Sequence, residues 1–363
     1  MRVSVYFSVI SFFLILSIGA QELTLETALE ATVNETSGLL YLSNTLITHN
    51  DSSNTNQLFD IDPSTGMVTR TVTITNATNE DWEDLTHDGT YIYIGDFGNF
   101  RGDRTDLKVY RISIIDYFTS TSVTADIINF SYSNQTDFTP NPLATNFDAE
   151  GLIHYNNSLY VFSKNWLNGN TDIYQLPKTP GTYSISNVDS ITAEGLISGA
   201  TYNASDNSIF LTGYDISGAF LVQLSGFSSG LFSNGSVIKS AVNVPANFSF
   251  QIEAITPINA NEYYITAEES APNASGLYSF NISTLDIPEI DHLDMDFYPN
   301  PATSVIRLSK GDLKTKIYNI TGQNVKASNQ QNIDISDLKS GVYLVTIEDS
   351  STGSLISKRL IIN

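Results

Sequence analysis

Short runs of alternating apolar and polar residues recur along most of the chain, each closed by Gly, Asn, Asp or Ser, which is the pattern of β-strands joined by tight turns. Five pairs of runs open alike, with an acidic residue, a small or polar residue and then Leu or Ile. They are NETSGLLYLSNTLITHND from Asn34, WEDLTHDGTYIYIGDFG from Trp82, AEGLIHYNNSLYVFSKNW from Ala149, AEGLISGATYNASDNSIFLTGYD from Ala193 and IEAITPINANEYYITAEES from Ile252. Each continues into a third run: QLFDID, LKVYRIS, DIYQLP, AFLVQLS or GLYSFNI. Aligned on Glu35, Glu83, Glu150, Glu194 and Glu253, the copies stand 48, 67, 44 and 59 residues apart. Those spacings suit four-stranded units of about 40 to 50 residues, with one long insertion at NQTDFTPNPLATN. The body is therefore expected to be all-β, a β-propeller over 21–285, with five blades favoured over six. ELTLETALEATV is expected to complete the last blade, leaving no free sheet edge.

The pattern changes after the acidic stretch STLDIPEIDHLDMD, which carries Pro288 and reads as a linker, placed at 286–294. Beyond it SVIRLS, KTKIYNI, GVYLVTIED and SLISKRLIIN predict a small β-sandwich over 295–363. Tyr298-Pro299-Asn300-Pro301, Ile317 to Gln323, Leu338 to Tyr343 and Lys358 to Ile362 stand in register with a known pattern. Through them the segment resembles the type A C-terminal sorting domain of proteins exported by the type IX secretion system. The resemblance implies Sec export to the periplasm, engagement of the type IX machinery, and an extracellular or outer-membrane-surface destination. It also implies a tail removed at the outer membrane, which leaves the chemistry to the body.

The other end of the chain agrees. Arg2 precedes an apolar run from Val5 to Ile18 that is too short to span a bilayer, with Gly19 and Ala20 after it, so 1–20 reads as a signal peptide. The chain has no cysteine, which excludes disulfides, thiol nucleophiles and thiolate-bound metals. Charge is distributed unevenly. Residues 21–290 hold eight cations against 31 anions, a net of −23, while the remainder beyond 290 is balanced at eight of each. A body this acidic is expected not to bind nucleic acid, which needs a basic footprint. A monomer is expected.

In a four-stranded meander, the loop entering the innermost strand and the loop leaving the second lie on one face of the disc. That face is expected to gather a charged, aromatic-edged mouth. Its predicted ligand-binding residues are Trp82, Arg101, Arg104, Lys164 and Trp166, and its predicted metal ligands are Glu83, Asp96, Asn99, Asp148 and Glu150. Oxygen-only donors point to calcium as the cofactor. The competing role for each repeated Glu is to bond backbone amides of a neighbouring blade and so fasten the ring. Other matches fail on context: GFSSG (226–230) lacks the helix that a nucleophile elbow needs, and His87 and His154 have no metal-ligand spacing.

Three functions remain. The first is a non-catalytic module binding a cation, glycan, phosphoester or surface ligand, and it is preferred because no residue shows nucleophile or general-base spacing. The second is a calcium-dependent phosphoesterase. DAEGLI (148–153) and EAITPI (253–258) are similar to the repeat cores of the phytase-like propeller family, which implies carboxylate-bound calcium holding a phosphate ester. The third is a glycosidase, for which the mouth supplies carboxylates without singling out two.

Overall fold

A computed structural model describes residues 21–244, 251–270, 274–282, 296–310, 313–319, 323–349 and 355–363. The expected signal peptide and linker lie outside them. The chain divides into two compact units, Met1–Leu285 and Asp286–Asn363.

The first unit holds five sheets, each built outward from one inner strand. Blade 1 has inner strand Thr36–Leu42, followed by Thr45–Asn50, Gln57–Ile61 and Val68–Ile74. Blade 2 runs through Trp82–His87, Tyr91–Asp96, Lys108–Ser113 and Asp126–Tyr132. Blade 3 runs through Ala149–Tyr155, Ser158–Ser163, Asn170–Pro177 and Asn187–Thr192. Blade 4 runs through Leu196–Asn203, Ser208–Asp215, Gly218–Ser225 and Ser236–Asn243. Blade 5 has Ile252–Pro257, Glu262–Ala267 and Gly276–Asn281, and its outer strand is Thr24–Ala28 from the other end of the unit. Each inner strand touches the next, and blade 5 touches blade 1, so the five blades close into a propeller.

The apolar pattern explains the ring. Second strands such as YIYIGD and SLYVFS are apolar at nearly every position because both faces are covered. Ile92 and Ile94 pack toward blade 1 while Tyr93 packs toward blade 3. Leu159 and Val161 pack toward blade 2, and Tyr160 and Phe162 toward blade 4. The result is one buried cluster in each of the five seams between blades.

Polar staples reinforce the seams next to the channel. Ser37 donates to Glu83 O at 2.8 Å, Thr86 Oγ1 accepts from His154 N at 3.2 Å, and Thr256 Oγ1 accepts from Tyr41 N at 2.9 Å. Asp84 reaches furthest, with one carboxylate accepting from Leu85 N (2.8 Å), Leu152 N (2.7 Å) and Ala200 N (3.2 Å) across blades 2, 3 and 4. Outer edges are covered too. Short parallel strands Ser122–Val123, Gly181–Ile185 and Gln21–Glu22 lie along blades 1, 2 and 4. Each is contributed by chain that then enters the next blade's outer strand.

The second unit is a sandwich of a three-stranded and a four-stranded sheet. Ile306, Leu308, Ile317, Val345, Ile347 and Leu360 fill its core.

Candidate functional site

All five inner strands begin with a β-bulge, where one extra residue interrupts pairing with the second strand. A bulge re-aims a side chain, and here it does so once per blade at the same end of the channel. The bulge residues are Glu83 in blade 2, Glu150 in blade 3, Ser198 in blade 4 and Glu253 in blade 5, with Ser37 and Gly38 in blade 1. This corrects the alignment of the repeat. Glu35 stands two residues before its bulge, as Asp81 and Asp148 do, and Glu194 stands four before Ser198, exposed and with a positive φ of 53°. The mouth thus has three bulge glutamates rather than five.

Chain entering the inner strands, which carries Asp81 and Asp148, and loops leaving the second strands, which carry Asp51, Lys164 and Glu268, supply the rest of the mouth. Glu83, Glu150 and Glu253 are 6%, 6% and 7% exposed, and Asp51, Asp81, Asp148 and Glu268 surround them. Lys164 is the ammonium among these seven carboxylates: its Nζ donates to Glu150 at 3.0 Å and lies over the Trp166 and Tyr214 rings at 5.2 and 5.3 Å. Burial and mutual repulsion favour the protonated acids. Burial, then Asp51 and Asp148, push Asp81 up to about 7. Burial, opposed by Lys164 and aided by Glu268, takes Glu253 to about 8, and burial with Asp51 takes Glu268 to about 7. Glu83 rises well above the usual range through burial and through Glu150.

Several expected residues are already occupied. Trp82 does not edge the mouth; it is fully buried between blades 1 and 2, its Nε1 donating to Thr78 O at 2.9 Å and its ring edge-on to His49. Asp96 is fully buried and bridges Arg104 (2.9 Å) and Lys108 (3.4 Å), so it is a counter-ion rather than a metal ligand. Asn99 ties its loop to blade 3, donating from Nδ2 to Phe147 O and from its backbone N–H to Asp148. Asp148 also accepts Trp166 Nε1 at 2.7 Å, which orients that indole and uses the second carboxylate oxygen. Arg104 is held by Asp96 and Asp106, and Arg101 lies out on its loop beside Asp103. Of the ten expected residues, Glu83, Glu150, Lys164 and Trp166 meet at the mouth as free or partly free groups.

The group that does converge is Asp51, Asp81 and Glu83, whose nearest carboxylate oxygens lie within 4.8 Å of one another. Among the described residues no donor bonds the Asp81 or Glu83 carboxylate, although Glu83 is 94% buried by the exposure just given. Gly98 closes this side. A Cβ there would collide with Glu83 Oε1 and Asp81 Oδ2, so a larger residue must push these carboxylates out of their places. Gly98→Ala should therefore weaken any cation affinity at this point at least tenfold by isothermal titration while the blade still folds. Unchanged affinity would show that the carboxylates are not the ligands.

The deciding comparison concerns the second unit. Residues 296–363 match the secretion system C-terminal sorting domain. They are a type IX secretion sorting domain. It implies interaction with the secretion machinery and marks the chain for export to the cell surface or the extracellular space. No helix among the described residues is long and apolar enough to cross a membrane. The chain is also similar to beta-agarase D of Zobellia galactanivorans, 32% identical over 72 residues, which is 19% of this chain and 15% of that protein. Among solved structures it is similar to PorZ, a surface component of the type-IX secretion system of Porphyromonas gingivalis (TM-score 0.38, 13% identity, 90% of this chain and 45% of that one). It is also similar to CoXyl43, a GH43 β-xylosidase/α-arabinofuranosidase from a compost metagenome (TM-score 0.43, 8% identity, 70% and 93%). A third is the exo-β-1,3-galactanase of Phanerochaete chrysosporium (TM-score 0.42, 11% identity, 93% and 98%).

Proposed function

We propose that the exported body is a non-catalytic binding module whose mouth holds a divalent cation, calcium by donor chemistry, between Asp51, Asp81 and Glu83. The observation that carries this reading is a converging set of carboxylate oxygens, with Asp81 and Glu83 lacking any hydrogen-bond donor among the described residues. Carboxylates this close repel one another, and a cation between them offsets that repulsion. Calcium takes about 6 to 8 oxygen ligands and tolerates irregular geometry, so three carboxylates leave positions for hydroxyl or carboxyl groups of an extracellular ligand.

The phosphoesterase reading loses support from the same geometry. Arg101, Arg104 and Lys164, the cations expected to clamp phosphate, are each paired with a carboxylate of the chain itself. Glycoside hydrolysis stays as the second reading, because burial pushes Asp81 up to about 7 and Glu253 up to about 8, the direction a general acid needs.

Thermal unfolding of the purified protein with calcium and with chelator tests the first reading. Calcium at about 100 times its dissociation constant should stabilise the body by roughly 2.7 kcal/mol. Binding at pH 6.5 should also release protons, seen as a dependence of the calorimetric enthalpy on buffer ionisation. An unchanged melting temperature together with no proton release would contradict it. Calcium-independent turnover of aryl glycosides would favour the second reading instead.

A further inference from the structure

The channel has a second opening, at the end where the inner strands finish. A cavity of about 430 Å³ lies there, and every one of the five inner strands contributes to its wall. It is separate from the acidic mouth. Between the two sit the Asp84 carboxylate, bonded to blades 3 and 4, and the level of Gly151 and Gly199, where a Cβ would strike the neighbouring inner strand.

Its chemistry is the opposite of the mouth's. The one carboxylate in the wall, Asp88, is fully engaged: it accepts from Thr90 N, Tyr91 N and the Tyr93 hydroxyl, and pairs with Lys178 at 2.8 Å. The two imidazoles, His87 and His154, are both pushed down by burial and are neutral at pH 7. His87 Nδ1 accepts from Gly89 N at 3.2 Å, which leaves Nε2 to carry the proton as a donor, while His154 Nε2 has no partner among the described residues. Half-buried Thr86 uses its oxygen as the acceptor for His154 N, so its hydroxyl hydrogen is left to donate elsewhere. Half-buried Tyr41 and Tyr202 also line the wall, each packed edge-on with a tyrosine of a seam, Tyr264 and Tyr155.

A cavity with no net charge, a few polar groups and tyrosine side chains in its wall suits a neutral molecule that carries both hydroxyls and C–H surface. We propose that this opening binds a neutral saccharide unit, one or two pyranose rings in size, independently of the cation at the mouth. Anionic and cationic ligands lack a free counter-charge there, and a purely apolar ligand would strand the half-buried Thr86 hydroxyl and His87 Nε2.

The test uses the full chain, with methyl β-glucoside, methyl β-galactoside, methyl β-xyloside and cellobiose as probes, by saturation-transfer NMR and calorimetry in chelator. At least one probe should bind saturably. Affinity should fall tenfold or more in Ala204→Trp, which adds bulk at an exposed position on the cavity rim, and in Tyr202→Ala. It should be unchanged in Asp81→Asn, which alters only the mouth. No saturable binding of any probe would overturn the proposal. So would binding that ignores both rim variants, or that disappears in Asp81→Asn and thus belongs to the mouth.

Discussion

Replacing Lys164 by Met should lower the stability of the body by about 3 to 5 kcal/mol at pH 8 in chelator, the usual consequence of removing one partner from a buried ion pair. The ammonium offsets Glu150 directly at 3.0 Å, and it also lowers the proton affinity of Asp51, Asp148, Glu253 and Glu268. Without it, those carboxylates lose their common counter-charge. The effect has a predictable pH dependence. An acid whose folded pKa lies above its unfolded value binds more protons when folded, so its contribution to stability is present at low pH and is lost as pH rises through the folded value. With unfolded values near 4 and folded values of about 7 for Asp81 and Glu268 and about 8 for Glu253, the window runs from about pH 4 to about pH 8. In chelator the wild-type melting temperature should therefore fall across that range, and the Lys164→Met loss should shrink toward pH 5, where the acids are protonated. Thermal scans at several pH values check both. A loss below about 1 kcal/mol at pH 8, or one that grows on acidification, would contradict this account of the mouth.

Asp84→Ala should be comparably damaging, for a different reason. The carboxylate is 1% exposed and accepts from backbone N–H groups of three blades, two of them across the channel. Truncation would leave Leu152 N and Ala200 N without partners where water has little access. At about 1 to 3 kcal/mol for each of the two stranded groups, the expected loss is about 2 to 6 kcal/mol by denaturant unfolding. Asp84→Asn keeps an acceptor oxygen and should recover part of it. If Asp84→Ala were near neutral, the inner strands would be held by apolar packing alone.

The blade count and the sorting domain were legible because each rests on a repeated or multi-part pattern. The same opening, an acid, a small or polar residue and then Leu or Ile, precedes a pair of strand-like runs five times, and two-sided burial makes second strands such as YIYIGD and SLYVFS largely apolar. The exact register of the mouth was less visible. A bulge adds one residue without changing the local composition, so an acid two or four residues upstream aligns as well as the true bulge residue. That is why Glu35 and Glu194 were grouped with Glu83. One signal did mark Asp81: DWE (81–83) and DAE (148–150) share a spacing that places an acid two residues before a bulge glutamate in adjacent blades. The fates of those two aspartates still diverge. Asp148 is consumed by Trp166 and Asn99, partners brought in by separate loops, whereas Asp81 meets no donor among the described residues. Trp82 was misplaced for a similar reason. It starts an inner strand at the mouth, but alternation turns its ring into the seam between blades 1 and 2.

The central claim is that Asp51, Asp81 and Glu83 hold a divalent cation, and a crystal structure of the protein grown with calcium tests it most directly. The account predicts anomalous density among these three carboxylates, with oxygen ligands at about 2.3 to 2.6 Å. A well-ordered mouth with no density there at saturating calcium, or an ion bound elsewhere, would contradict it.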